Sequence, residues 1–188
     1  MKKPEEMQMT ADFIDWKKIQ YLILDVDGTM TDGGVYLDSQ GNELKKFSIK
    51  DGAGILLARQ GGIQVMILTG RESLCVTQRA RELQIPYVFQ NVKKKKEFLR
   101  EFFRERQVGR EEAAYIGDDL NDLGAMRLAG ITACPRDAAE EVKKSCTLIL
   151  KSRGGEGAVR EFTERILEKQ GILRQCKEAL WGQEAGIQ

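Results

Sequence analysis

Apolar residues along this chain fall into short blocks separated by longer amphipathic stretches. Tyr21 to Leu24, Val65 to Leu68 and Ala113 to Ile116 are continuous apolar runs, ending in Asp25, Thr69 and Gly117-Asp118 respectively. Ile131 to Ala133, Thr147 to Leu150 and the weaker Tyr87 to Phe89 extend the series. A short run that is apolar at every position has no face left for water, so each predicts a strand of a parallel sheet covered on both sides. Helical spacing marks Ala53 to Arg59, Ser73 to Leu83, Lys95 to Arg106, Leu120 to Leu128, Ala138 to Val142 and Glu156 to Gln170. Within Lys95 to Arg106, for example, Phe98, Leu99, Phe102 and Phe103 share one helical face. Strands alternating with helices predict an α/β fold with a Rossmann-like, doubly wound parallel sheet.

One segment breaks the alternation. Gly34 to Ile49 reads as two short strands around the turn cluster Ser39-Gln40-Gly41-Asn42, and predicts a β-hairpin projecting from the sheet after the first strand. Residues 1–170 read as a single domain and 171–188 as a C-terminal tail, helical from Arg174 before it frays.

Composition narrows the chemistry. Apolar residues make up 41% and charged residues 31% of the 188, with a net charge of +1, the mix of a soluble globule with no field drawing it to nucleic acid or membrane. The polar N-terminus has no apolar core of a secretory signal, and the four scattered cysteines form no CxxC pair; both fit free thiols in the cytoplasm. There is no histidine. Histidine phosphatases, Ser-His-Asp hydrolases and histidine-ligated zinc are thereby excluded, and acid–base work falls to carboxylates, Lys, Tyr or Cys.

Those carboxylates collect at predicted strand ends. In Asp25-Val26-Asp27-Gly28-Thr29 the two acids are spaced i, i+2 and project to one side of a strand end, the edge where open α/β sheets bind ligands. Thr69-Gly70-Arg71 and Gly117-Asp118-Asp119-Leu120-Asn121-Asp122 follow two other runs, and Lys95 opens a helix between them. Several carboxylates, a hydroxyl and an ammonium at one edge suit Mg²⁺ and a phosphate. A competing phosphatase signature, Cys75-x₅-Arg81, lies within a helical stretch with no small-residue loop, which argues against a cysteine nucleophile.

In this order, DxDGT, Thr-Gly, Lys and GDDxxD resemble the haloacid dehalogenase superfamily over roughly Tyr21 to Gln170. The resemblance implies that Asp25 is a covalent nucleophile and that Asp27 protonates the leaving oxygen and then activates water. It implies that Thr69 and Lys95 hold the phosphoryl group, with Lys95 favoured over Lys93 and Lys94 because it opens the helix. It also implies Mg²⁺ on Asp25, Asp118 and the main-chain carbonyl of Asp27, with Asp119 and Asp122 orienting their neighbours. Neither the stretch from Asp27 to Thr69 nor that from Thr69 to Lys95 has room for a cap domain. With Asp32-Gly33-Gly34, the hairpin, Phe47 to Gly52 and Arg153 to Ala158, the chain is similar to the capless branch acting on sugar acid phosphates. That branch implies a homo-oligomer, a tetramer whose neighbouring chain completes the pocket. It further implies substrate contacts from Asp27, Gly28, Ser48, Lys50, Asp51, Gly52, Gly70, Arg71, Arg79 and Lys95. The expected substrate is 3-deoxy-D-manno-octulosonate 8-phosphate, with 2-keto-3-deoxynononate 9-phosphate as the alternative and a non-catalytic assembly module as the alternative of another class. Leu56, where this branch can carry Arg, leaves the sugar open.

Overall fold

The computed structural model describes residues 15–185. Strands β1 (Tyr21–Leu24), β4 (Gln64–Leu68), β5 (Tyr87–Phe89), β6 (Ala113–Ile116), β7 (Ile131–Cys134) and β8 (Leu148–Ile149) form one parallel sheet in the order β5-β4-β1-β6-β7-β8. The strand order reverses beside β1, which pairs with β4 on one edge and β6 on the other. That reversal opens a crevice at the carboxyl end of β1, where the loops from β1, β4 and β6 diverge.

Alternate residues of each strand feed two cores. Leu22, Leu24, Val65, Ile67, Ala114 and Ile116 face helices α1 (Ile49–Gln60) and α6 (Ala158–Gln170), packing on Ile55, Leu57, Phe162 and Ile166. Ile23, Met66, Leu68, Ala113 and Tyr115 face α3 (Lys95–Arg106) and α4 (Leu120–Met126), packing on Leu99, Phe102, Phe103 and Met126. Most of these side chains are wholly out of water, each large aliphatic contributing about 1.5–3 kcal/mol of burial. The sheet is therefore a rigid base for whatever its loops carry.

Helices α2 (Leu74–Glu82) and α5 (Glu140–Ser145) complete the alternation, and α7 (Leu173–Ala185) follows α6. The expected tail is a docked helix: Cys176 is buried in the first core, with Leu173, Leu180 and Trp181 packed against it. Residues 186–188, where fraying was expected, lie outside the described residues.

The hairpin is present but shorter than expected. Its strands are β2 (Tyr36–Leu37) and β3 (Glu43–Leu44), with Phe47 bridging back to Thr31. Ile49 belongs to α1, not to the hairpin. Ser48 is the N-cap, its hydroxyl accepting the Asp51 N–H at 3.4 Å, so the helix begins four residues before Ala53.

Candidate active site

The loop after β1 sets the site. Asp25 continues the strand, its N–H bonded to the Ile116 carbonyl at 3.0 Å, and its side chain is buried. Gly28 then adopts φ +90°, and a Cβ there would lie 2.0 Å from a carboxylate oxygen of Asp118. Only glycine lets the β1 loop approach that acid. Thr29 donates its hydroxyl to Asp118 Oδ1 at 3.2 Å, tying the β1 and β6 loops together. The Arg153-Gly154-Gly155 loop lies directly on this turn: a Cβ on Gly154 would fall 1.9 Å from the Gly28 carbonyl oxygen, and Gly155 N–H bonds Thr29 O at 3.0 Å.

Lys95 reaches the same point from the other side. Asn91, in the left-handed region at φ 57°, turns the chain so that Val92 N–H meets the Thr69 carbonyl at 3.0 Å. Helix α3 then starts at Lys95, whose ammonium donates to Asp25 Oδ1 at 2.6 Å and Asp122 Oδ1 at 2.7 Å. Lys93 instead bonds the Gly70 carbonyl, so of the lysine run it is Lys95 that the fold brings to Asp25. Burial alone would lower the Lys95 ammonium, but Asp25 and Asp122 outweigh it and hold the group above its ordinary value. Thr69, buried at the end of β4, accepts the Arg71 N–H on its hydroxyl at 3.4 Å.

Asp25, Asp118 and Asp122 each offer a carboxylate oxygen within 4.8 Å of the others. Asp122 is saturated: Oδ1 accepts from Lys95 and from the buried Tyr115 hydroxyl at 2.8 Å, while Oδ2 accepts the Asp118 N–H at 3.3 Å. Asp119 caps α4 through the Leu120 N–H. Asp25 and Asp118 keep free lone pairs. Burial and then Asp122 push Asp25 up to about 6 against the pull of Lys95, and burial and then Asp25 push Asp118 up to about 8. Crowded, half-neutralised oxygen donors of this kind fit a hard divalent cation such as Mg²⁺.

The crowding has a measurable sign. Both folded values lie above the unfolded carboxylate value near 4. The stability these groups contribute is complete below about pH 4 and is lost as pH rises through about 6 and about 8. Added Mg²⁺ is therefore expected to raise the melting temperature more at pH 8 than at pH 5.5, read by calorimetry. An increment that does not change with pH would remove Asp25 and Asp118 from the metal site.

The outer residues divide. Asp27 is a quarter exposed and ion-paired with Lys45. Arg71, half exposed at the mouth, pairs with Glu43 at 2.5 Å. Ser48, Gly52 and Arg79 form one unit: Arg79 donates to the Ser48 carbonyl at 3.1 Å, and its guanidinium covers Gly52. Lys50 is exposed on the first turn of α1. Asp51 is buried and accepts the Gly157 and Arg160 N–H groups at 3.1 and 3.0 Å, which ties the first turn of α1 to the N-terminus of α6. Cys75 sits in α2 and bonds the Glu43 carbonyl at 3.4 Å, with no phosphate loop around it.

The model of the haloacid dehalogenase-like hydrolases matches residues 87–162. The 3-deoxy-D-manno-octulosonate 8-phosphate phosphatase KdsC of Haemophilus influenzae is 36% identical over 155 residues, covering 82% of this chain and 86% of the relative. The KdsC of Escherichia coli K12 is 35% identical over 161 residues, covering 86% of each. A crystal structure of the Moraxella catarrhalis phosphatase of the same name, in complex with magnesium ion, phosphate ion and KDO, superposes with a TM-score of 0.85 at 34% identity, covering 95% of this chain and 99% of that one. With the strand-end carboxylates, the buried lysine and this similarity along nearly the whole length, the chain belongs to the haloacid dehalogenase-like hydrolases, in the 3-deoxy-D-manno-octulosonate 8-phosphate phosphatase family.

Proposed function

We propose that this chain is a Mg²⁺-dependent phosphatase that hydrolyses 3-deoxy-D-manno-octulosonate 8-phosphate through an aspartyl phosphate on Asp25. The observation that carries the reading is the buried Lys95–Asp25 pair at 2.6 Å, at the focus of the β1, β4 and β6 strand ends. Lys95 favours the ionised form of Asp25 against burial and Asp122, and it places an ammonium where phosphoryl oxygens arrive. Asp25 attacks phosphorus in line as the leaving oxygen takes a proton from Asp27. Thr69 and Lys95 then hold the phosphoryl group while Asp27 takes a proton from the water that cleaves the acyl phosphate, freeing Asp25 and inorganic phosphate. Mg²⁺, held by Asp25, Asp118 and the Asp27 carbonyl, supplies charge neutralisation on the phosphoryl oxygens when bound. In this reading Arg71, half exposed beside the site, pairs bidentately with the carboxylate of the sugar acid.

The pocket is open, and we take its closure to come from other copies of the chain. Val35, Leu37 and Leu44 of the hairpin are 61%, 64% and 58% exposed, with Ile49 and Leu74 bare beside them. Several exposed apolar side chains on one projection favour a homo-oligomer, a tetramer by family resemblance.

The test is phosphate release from a panel of sugar acid phosphates, with light scattering on the same sample. The octulosonate 8-phosphate is expected to be preferred over the nononate 9-phosphate, with turnover silenced by EDTA, restored by Mg²⁺, and carried by a particle of about four chains. Release that survives chelation, or no preference for a sugar acid over glucose 6-phosphate, would overturn the respective part of the reading.

A further inference from the structure

The hairpin carries an inverted pattern. From Glu43 to Phe47 the side chains alternate, but it is the charged Glu43 and Lys45 that turn inward, while Leu44 is left 58% exposed. The Lys45 side chain is 2% exposed, although it stands on a two-stranded projection. Lysine is almost never buried without partners, and here the partners are specific. Its ammonium pairs with Asp27 and lies 3.4 Å from Glu43. Glu43 in turn holds Arg71 at 2.5 Å, and its main-chain carbonyl accepts the Cys75 thiol. Four side chains in contact thus run from Arg71 to the reacting centre, Arg71, Glu43, Lys45 and Asp27, and a Lys45 ammonium bonded to one oxygen of Asp27 leaves the other oxygen to carry the proton that the acid delivers.

We infer that Lys45 and Glu43 are positioning residues for the leaving-group proton transfer: Lys45 fixes one oxygen of Asp27 so that the other faces the scissile bond, and Glu43 anchors Lys45 to Arg71. The inference rests on the proposed role of Asp27. Its structural basis is the pairing itself. A free aspartate in a quarter-exposed turn samples several rotamers, and each rotamer that points away wastes an encounter. Holding Asp27 from the hairpin also means that whatever settles the hairpin, including its apolar outer face, settles the acid. The recognition of a substrate carboxylate at Arg71 and the orientation of Asp27 then share one chain of ion pairs.

A leaving-group comparison tests this. An alkoxide needs a proton to depart, whereas p-nitrophenolate does not. Lys45→Met keeps the length of the side chain and removes its charge. On kcat/KM, which covers the steps up to departure of the leaving group, it is expected to lose on the order of 100-fold with a primary alkyl phosphate, the low end of what general acid catalysis supplies. With p-nitrophenyl phosphate the expected loss is less than about threefold. Lys45→Arg should recover part of the alkyl phosphate activity, and Glu43→Gln should show the same selectivity at about tenfold. Retained p-nitrophenyl phosphate turnover itself reports an intact fold. Equal losses on both substrates, or no loss on either, would overturn the inference. The alkyl substrate is whichever primary phosphate ester the native chain turns over. A wrong assignment of the sugar is therefore seen in the native enzyme's preference, and a wrong assignment of Lys45 in the ratio between variants.

Discussion

Asp25→Asn is expected to lower turnover by on the order of 10⁴-fold or more, because a carboxamide cannot form the acyl phosphate and nothing else in the pocket can replace it as nucleophile. The fold should be untouched. Asn has the same shape, its carbonyl oxygen can keep the Lys95 bond at 2.6 Å, and Lys95 retains Asp122 at 2.7 Å. The amide N–H₂ would also face Asp118, which the native carboxylate crowds. Metal-free, the variant should therefore melt no lower than the native chain at pH 8, the pH at which that crowding costs most. Circular dichroism and calorimetry check the fold, and phosphate release checks the chemistry. Acid quenching of the native enzyme during turnover should leave a phosphoryl mass on the peptide bearing Asp25. Residual activity within tenfold of native would remove Asp25 from the nucleophile's place, whatever the family resemblance.

How much of this was legible in the sequence follows from what each residue's neighbours are. Tyr21–Leu24, Tyr87–Phe89 and Ala113–Ile116 emerge with their expected bounds because a strand covered on both faces writes itself as an unbroken apolar run. The strand-end acids were equally plain, since β strands parallel in one sheet deliver all their carboxyl ends to one edge. Local propensity misled where tertiary contacts decide. Helix α1 starts at Ile49, ahead of two glycines that weaken any helical reading, because Ser48 caps it and Asp51 is pinned to α6. Asp51 faces the N–H groups of an element more than a hundred residues on, a partner no local pattern reveals. Glu43 and Lys45 were hidden by the hairpin's apolar residues; the charged-in, apolar-out alternation was the available signal. Tyr115, too, left a trace: a phenol within an otherwise apolar central strand must find an acceptor, and Asp122 is that acceptor.

Replacing Lys95 by methionine should damage stability as much as chemistry. Exposed pairs such as Arg104–Glu101 are worth about 0–1 kcal/mol, because water competes for both partners. Lys95 is different: its side chain is 1% exposed, and its partners Asp25 and Asp122 are 6% and 0% exposed. Removing the shared cation leaves two buried carboxylates facing each other, a change that costs about 3–5 kcal/mol in comparable sites. For a chain of this length that corresponds to a melting temperature lower by roughly 10 °C. Turnover should fall by about 10²–10³-fold as the phosphoryl oxygens lose their donor. The pH dependence identifies the cause. Asp25 sits at about 6 even with Lys95 beside it, and without Lys95 it is pushed higher by burial and Asp122. A raised folded pKa means stability that is present at low pH and lost as pH rises through that value. The gap between variant and native melting temperatures should accordingly be narrow at pH 5.5 and wide at pH 8. It should shrink again on adding Mg²⁺, which replaces part of the missing positive charge at Asp25. A gap that is the same at both pH values would mean that Lys95 contributes packing rather than charge, and that the carboxylate cluster is balanced by something other than its ammonium.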